Sequence, residues 1–590
     1  MIVELGTPEP LTPVPASGLG RRARVAVIGA VVLLAAAIGA VLGVMVVPAR
    51  GAGLGPSAAY VPADTVIYLE ARLDLPGAQR DNLRAILDRF PALDADLILS
   101  ATLADTLDDL LAEGRLPLDY SGDVAPWFTG RVAMAVLDYP LNADPMTMQL
   151  PSTLVMLGSR SQADADDLAG QLRQELEAGG AAFTSSQHRG TTIWALDLEP
   201  APFVPLADLG FAYAVTPDQL LLATRSQAIA TALDVQAGDG GSLEGRQEVR
   251  DLAARLPDQW TAVLTVDSAA MLAELQAELE RSQPMLAQAL AASMASVPDL
   301  MVGTVAFDGD AVLLDGASDL PGGPLTPANG LRSLAEQVPG DAVLFSDGGE
   351  LGAGLEAMVT SLKATLAVGP AAAEQLEQLD QVEAALGAEL EEFVSWVGDG
   401  AIVAGWDGTQ PYLGLVLGTD DPQAAARRLD QLRALARLAE LDPGRTITVT
   451  TEDVGGTEVT SIRIGMGALT GEFGPVDEVV LEYAVRDNGA LVGVGDGFVR
   501  PSLALDPDDS LAASARFRSA VERFGAADNA GTFFVDLVAL REGVVSALPA
   551  EALLGYRADL EPNLEPFDFM AGVSRVEGDA LVSRFGLVLR

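Results

Sequence analysis

The sequence predicts an α+β protein: a single N-terminal transmembrane helix followed by two tandem, internally duplicated domains with largely antiparallel sheets and packed helices. Three observations predict it. Val25–Val47 is a run of 23 uncharged residues behind Arg21, Arg22 and Arg24. Beyond that run the chain repeats its own motifs in order. Within each copy, short β-prone apolar runs joined by tight turns alternate with helical periodicity.

Taken in order, residues 1–24 hold Pro8, Pro10, Pro13 and Pro15 among small and polar neighbours. They read as a disordered cytoplasmic tail of extended polyproline character. Residues 25–47, as a helix, span roughly 30 Å of hydrocarbon, and only a helix satisfies its own backbone in lipid. The three arginines hold the N-terminus in the cytoplasm. The expected location is the plasma membrane, single-pass, with the bulk extracytoplasmic. A cleaved signal peptide is the rival, but its apolar region runs to about 7–15 residues, shorter than this one. Ala35, Gly39 and Gly43 place small side chains on one helix face, which suits close membrane-helix packing and a homodimer. Membrane lipid is the partner along the rest of the helix. Residues 48–58, rich in Gly and Ala, read as a tether.

The exported region then reads twice. Tyr60-Val61-Pro62-Ala63-Asp64 returns as Gln337-Val338-Pro339-Gly340-Asp341. Trp127 before Val132–Leu137 returns as Trp396 before Ala401–Ala404, and Leu157-Gly158-Ser159 returns as Leu417-Gly418-Thr419. Tyr213-Ala214-Val215 returns as Tyr483-Ala484-Val485, and Phe307-Asp308-Gly309-Asp310-Ala311 as Val576-Glu577-Gly578-Asp579-Ala580. Two domains follow, 59–325 and 332–590, with Leu320-Pro321-Gly322-Gly323-Pro324 as linker. Strands are expected at Thr65–Leu73, Val132–Leu137 and Thr153–Leu157, and helices at Pro76–Phe90, Asp94–Glu113 and after Ser161. Ser161 and Asp421 are the expected N-caps, the latter with Pro422 at the first helical position. Asn488-Gly489, Asp308-Gly309, Gly455-Gly456 and Arg189-Gly190 are the expected hairpin turns, which make neighbouring strands antiparallel.

Composition removes whole classes of function. The chain has 36 Lys+Arg against 83 Asp+Glu, a formal net charge of −47, and Lys363 is its one lysine. So acidic a surface repels phosphate backbones and excludes nucleic acid as a partner. A saline habitat and cation binding are two explanations for the acidity. With 0 cysteines, disulfides, thiolate nucleophiles and cysteine-type metal sites are excluded.

No cofactor and no catalytic residue is expected. The single histidine, His188, sits at a hairpin tip with no carboxylate nearby in sequence to orient it. Gly352-Ala353-Gly354-Leu355-Glu356-Ala357 is a degenerate phosphate-cradling pattern in a chain with 60 glycines; the first copy lacks it. Asp506, Asp508 and Asp509 cluster before a helix; they are the weak metal candidates, calcium being the ion that would fit, and helix capping is the structural alternative. Trp127 and Trp396 repeat at matched positions, which points to packing.

The segment from Pro62-Ala63-Asp64-Thr65 through Asp74-Leu75-Pro76-Gly77-Ala78-Gln79-Arg80 to Phe90-Pro91 resembles the opening of a bacterial membrane-anchored family, domain of unknown function 3352. The second copy has Gly348-Gly349-Glu350-Leu351 in place of Leu75-Pro76-Gly77. The resemblance implies the same layout, a membrane helix then a long exported region, and no activity. The leading reading is a membrane-anchored envelope protein that binds or scaffolds an unidentified envelope protein or ligand without catalysis. The alternatives are a carrier or sensor of an apolar ligand held between helices and sheet, and an acid-based extracytoplasmic hydrolase.

Overall fold

The computed structural model describes residues 49–50, 53–72, 77–91, 120–138, 151–197, 210–282, 287, 291, 297–320, 327–331, 333–349, 351–366, 372–406, 410–441, 446–465, 478–525, 528–547 and 550–590. Twenty strands form one sheet, and every pairing in it is antiparallel. The first ten are β1 Ile67–Arg72, β2 Phe128–Val136, β3 Thr153–Ser159, β4 Ala182–His188, β5 Thr191–Asp197, β6 Ala212–Val215, β7 Gln219–Ala223, β8 Ala262–Asp267, β9 Leu300–Asp308 and β10 Ala311–Asp319. The second ten are β11 Leu344–Gly348, β12 Gly400–Trp406, β13 Pro411–Gly418, β14 Ile447–Val454, β15 Thr457–Gly465, β16 Glu478–Arg486, β17 Gly489–Val494, β18 Gly531–Asp536, β19 Phe567–Glu577 and β20 Ala580–Leu589.

From one edge the order is β4-β5-β6-β7-β3-β2-β1-β8-β9-β10, and from the other edge β14-β15-β16-β17-β13-β12-β11-β18-β19-β20. Each strand of the first half thus has its counterpart ten numbers later. The halves meet where β10 pairs with β20. Ala311 opens β10 and Ala580 opens β20, an offset of 269 residues. Asp315 pairs with Arg584, the residue 269 positions after it, so this pair marks a pseudo-two-fold axis between the halves.

Two expectations are corrected here. The halves are not tandem domains each with a sheet of its own, because the continuous β10–β20 ladder makes one sheet of 20 strands. Nor is a transmembrane helix part of the described fold. No helix among the described residues is long and apolar enough to cross a membrane. The segment 25–47, with Ala35, Gly39 and Gly43, lies outside the described residues, as does Asp94–Glu113.

Among the described helices ten are matched five and five between the halves: α1 Gly77–Leu87, α2 Gln162–Ala178, α3 Ser226–Gln236, α4 Gln247–Ala253, α5 Ser268–Ser282, α6 Leu351–Leu366, α7 Pro422–Glu440, α8 Val499–Leu503, α9 Ala515–Phe524 and α10 Leu537–Ala547. Side chains alternate between the two faces of a strand, and cross-strand partners share a face. The back face carries the two largest buried clusters. Tyr68, Ala133, Leu154 and Leu221 pack under α3 and α4, and Phe345, Val403, Leu491 and Phe534 under α8 and α9. On the front face α2 covers the outer strands of the first half through Ala165, Leu168 and Ala169. Its counterpart α7 does the same through Leu429.

Local chemistry explains the element ends. Ser161 accepts a hydrogen bond from the Asp164 backbone N–H at the start of α2, and Asp421 accepts one from Ala424 at the start of α7; each satisfies an orphan helix donor. His188 pairs with Thr191, which leaves Arg189 and Gly190 as a two-residue turn with φ of 52° and 81°, the left-handed pair such hairpins need. Two turns sit one residue from their expected place: Gly309-Asp310 joins β9 to β10, and Asp487-Asn488 joins β16 to β17. Part of the expected tether packs down. Ala49 and Arg50 pair with Trp260 and Gln259, the Trp260 indole donates to the Gly53 carbonyl at 3.1 Å, and Pro56–Tyr60 is a 3-10 turn with Ser57, Ala58 and Tyr60 buried.

Candidate functional site

Among the described residues the front face is open where the halves meet. Gly303, Gly316, Ser583, Ser574, Gly531, Gly348 and Gly400 are successive cross-strand partners on β9, β10, β20, β19, β18, β11 and β12. Seven small residues in one row make a trough across the strands. Six inter-strand steps of about 4.8 Å give it a length of roughly 29 Å. The adjoining row reads Val305, Leu314, Phe585, Gly572, Phe533, Ser346 and Ile402. Met301 stands on the other side of the small row, and neither row contains a charge.

These apolar side chains are more open than a sheet centre allows a sealed core: Leu314 is 48% exposed, Met301 and Met570 39% each, and Phe585 37%. An apolar surface of this kind on a monomer marks a place that something covers. Added volume at Gly316 meets nothing within 4 Å. The Phe585 ring lies over Gly572 and meets Phe533 edge-on at 6.3 Å. The trough is stopped at Gly400 by Leu351 of α6. Along its apolar side, Leu83 and Ile86 of α1 pack against Phe307 and Leu589.

A separate cleft of about 410 Å³ is lined by Gly340, Ser514, Ala515, Arg516, Asp536, Asp568 and Arg590. Arg516 donates from Nε to Asp568 at 2.9 Å and from Nη1 to Asp536 at 3.1 Å. Asp536 also accepts from the Val538 and Ala539 N–H groups and so caps α10. The first half has the same clasp: Asp267 accepts from Ala270 N–H at 2.7 Å and from Arg246 at 2.6 Å. A carboxylate pair for acid–base hydrolysis needs one member free to give a proton. Here both carboxylates accept from one guanidinium, so the cleft is a structural clasp.

Among the described residues two carboxylates are fully buried, Glu70 and Glu482. Glu70 accepts from the Tyr68 hydroxyl and from Arg131 at 3.2 Å and from the Ser57 backbone. It thereby holds the Pro56–Tyr60 turn, and Gly55 leaves room for it. Burial pushes its carboxyl above the usual glutamate range. Glu482 accepts from Arg500 Nε at 2.9 Å. Its second oxygen, and the hydroxyls of Ser461 and Ser502, have no protein partner among the described residues. Burial raises this carboxyl too, and Arg500 opposes the rise.

The sequence-chosen residues fall elsewhere. Asp506 accepts from the Asp508 N–H at 3.1 Å and caps the turn Pro507–Asp509, while Asp508 and Asp509 stand exposed. Among the described residues no group of three or more His, Asp or Glu is arranged to hold a metal. His188 does have a partner: Asp234 of α3, 2.8 Å from Nε2 and shared with Arg189. The hairpin is thus pinned to α3 by a residue 46 positions downstream, beyond the reach of a local reading. Gly352 lies against the Val397 backbone and donates to the Gly398 carbonyl at 3.0 Å, so that glycine serves close packing of the start of α6 on the segment before β12. Trp127 is buried and donates to the Asp123 carbonyl; Trp396 packs half-buried in the cluster under α7. The trough was missed because its glycines and serines are scattered over seven strands. Their one sequence signal is glycine at interior strand positions, where it has no side chain to pack.

Comparison with known proteins gives one family. The model described as "Protein of unknown function (DUF3352)" matches residues 26–571. No curated protein matches. Among solved structures, that of crystal form I of TP0453 is 10% identical, with a TM-score of 0.20, over 46% of this chain and 81% of that one.

Proposed function

The chain belongs to the DUF3352 family of proteins of unknown function, and on that premise we propose that it is a non-catalytic binding protein of the cell envelope that holds an alkyl-chain ligand against the front of its sheet. The observation that carries this is the uncharged trough across the seam, floored by Gly303, Gly316, Ser583 and Ser574 and walled by half-exposed Leu314 and Phe585. Binding sites for apolar ligands are concave, apolar and largely pre-formed. The floor is one residue wide, which suits a single chain over a fused ring system. A net charge of −47 favours a neutral or zwitterionic ligand over an anionic one. The uncharged stretch 25–47 behind three arginines supports residence at the plasma membrane with the sheet on its outer side.

The test is mass spectrometry of solvent extracts from the purified full-length chain. Alkyl-chain lipid is expected in near-stoichiometric amount from the native chain and in much lower amount from Gly316→Phe. An extract of the native chain empty of lipid, or equal lipid from both, would count against the proposal.

A further inference from the structure

The two outer edges of the sheet are counterparts, yet they are guarded differently. β14 pairs only with β15, and β4 only with β5, among the described residues. In a two-residue hairpin the residue before the turn is bonded to its partner, and alternate residues then point their backbone groups outward. By that rule the outward groups are those of Val449, Thr451 and Asp453 on β14, and of Phe183, Ser185 and Gln187 on β4. β14 is blunted. Glu440 accepts from the Val449 N–H at 3.4 Å, and Glu452 and Asp453 add two charges to the strand. Inward or flanking charge is a standard means of keeping an edge from pairing. β4 reads Ala-Phe-Thr-Ser-Ser-Gln-His, with no Asp, Glu, Lys, Arg or Pro. It runs seven residues without a bulge, and Thr184, Ser185, Ser186 and Gln187 are exposed.

We infer that β4 is an interaction edge and that its partner is the β4 of a second copy of this chain, paired antiparallel about Ser185. The absence of Asp, Glu, Lys and Arg from β4 admits that partner. Two molecules of net charge −47 repel over most of their surfaces, and β4 is a strip where equal strands meet without like charges. Pairing about Ser185 sets Thr184 opposite Ser186, Phe183 opposite Gln187 and Ala182 opposite His188. The fold already uses this geometry inside one chain: β10 and β20 are equivalent strands that pair antiparallel about a two-fold axis. A β4–β4 contact would repeat it between chains and join two sheets into one.

The native chain has no cysteine, so the test is clean. Full-length Ser185→Cys and Ser186→Cys are expected to give disulfide-linked dimers under mild oxidation, while Thr451→Cys on the counterpart edge stays monomeric. In sedimentation, Ser185→Pro removes the outward N–H without touching the β4–β5 ladder and is expected to weaken the dimer by roughly tenfold or more. Ser185→Lys, which sets like charges face to face, is expected to do the same if the proline variant fails to fold. A native chain that sediments as a monomer, equal crosslinking at both edges, or a dimer untouched by Ser185→Lys would overturn the inference. The alkyl-ligand proposal rests on the front face and survives any of these results.

Discussion

The two halves share one strand order and one helix plan, but they differ beneath α3 and α8. In the second half Glu482 of β16 is buried, bonded to Arg500 of α8, with Ser461 opposite it on β15 and Ser502 nearby. Matching Tyr213 to Tyr483 puts Ala212 at the place of Glu482 and its ladder partner Ala195 at the place of Ser461, and the same offset of 270 residues sets Ala230 and Ala232 of α3 against Arg500 and Ser502. Four alanines fold the same architecture without an ion pair. The buried pair is therefore not a requirement of the fold, and desolvating it costs what its bonds must offset. The seam carries the same lesson in reverse. At Asp315 and Arg584 the halves differ, where two identical charged residues on the axis would set like charges together. Arg584 instead donates to the buried Asp315 at 2.5 Å.

The sharpest way to break that comparison is to make the halves identical on the axis. Arg584→Asp leaves Asp315 buried without its cation and faces it with an anion. The expected loss is roughly 4 kcal/mol, read by denaturant unfolding. Adding Asp315→Arg restores the opposite signs and is expected to recover most of it. An effect below about 1 kcal/mol would mean that the seam does not depend on this pair.

Next in size is the Glu482 site. Arg500→Ala strands a fully buried carboxylate and is expected to cost roughly 3 kcal/mol. Arg500→Ala with Glu482→Ala copies the first half and is expected to cost much less, since no buried charge is left unpaired; Glu452, which also accepts from Arg500 at 2.6 Å, is exposed. Equal costs for the single and double variants would break the analogy between the halves.

Acid sharpens the same point. Burial holds the Glu482 carboxyl above the ordinary glutamate value of 4.5 in the folded chain. The folded state therefore binds this proton more readily than the unfolded state. The stability this gives is fully present below that ordinary value and is lost as pH rises through the folded value. Glu482→Gln has no such titration, so its stability relative to the native chain is expected to improve as pH climbs from 4.5. A difference between the two that is flat in pH would contradict the assignment. Smallest in stability is Gly316→Phe. Its side chain enters open space on the front face and replaces a glycine in a strand, so unfolding is expected to shift by about 1 kcal/mol or less, while ligand retention falls sharply.

Much of the architecture could be read from local chemistry. Ser161 and Asp421 cap their helices as their positions before apolar periodicity required, and Arg189-Gly190 and Gly455-Gly456 turn their hairpins. The union of the halves could not be read that way. It depends on β10 and β20 meeting 269 residues apart, and nothing in Ala311–Asp319 says whether that edge faces solvent or another strand. The trough was hidden for the same reason: Gly316 and Ser583 become neighbours only through the seam. The acidic cluster Asp506, Asp508 and Asp509 drew attention by proximity in sequence, yet proximity made it a cap. The fully buried carboxylates among the described residues, Glu70 and Glu482, each stand in a strand far in sequence from that cluster.

The most direct check on the front-face site is a binding series with neutral single-chain alkyl probes of increasing length, titrated against the full-length chain and against Gly316→Phe. Affinity for the native chain is expected to tighten by about 0.8 kcal/mol for each added methylene and to level off once the chain outgrows the roughly 29 Å trough, with Gly316→Phe binding weakly at every length. Affinity independent of chain length, or an unchanged series in Gly316→Phe, would show that the seam does not hold the ligand.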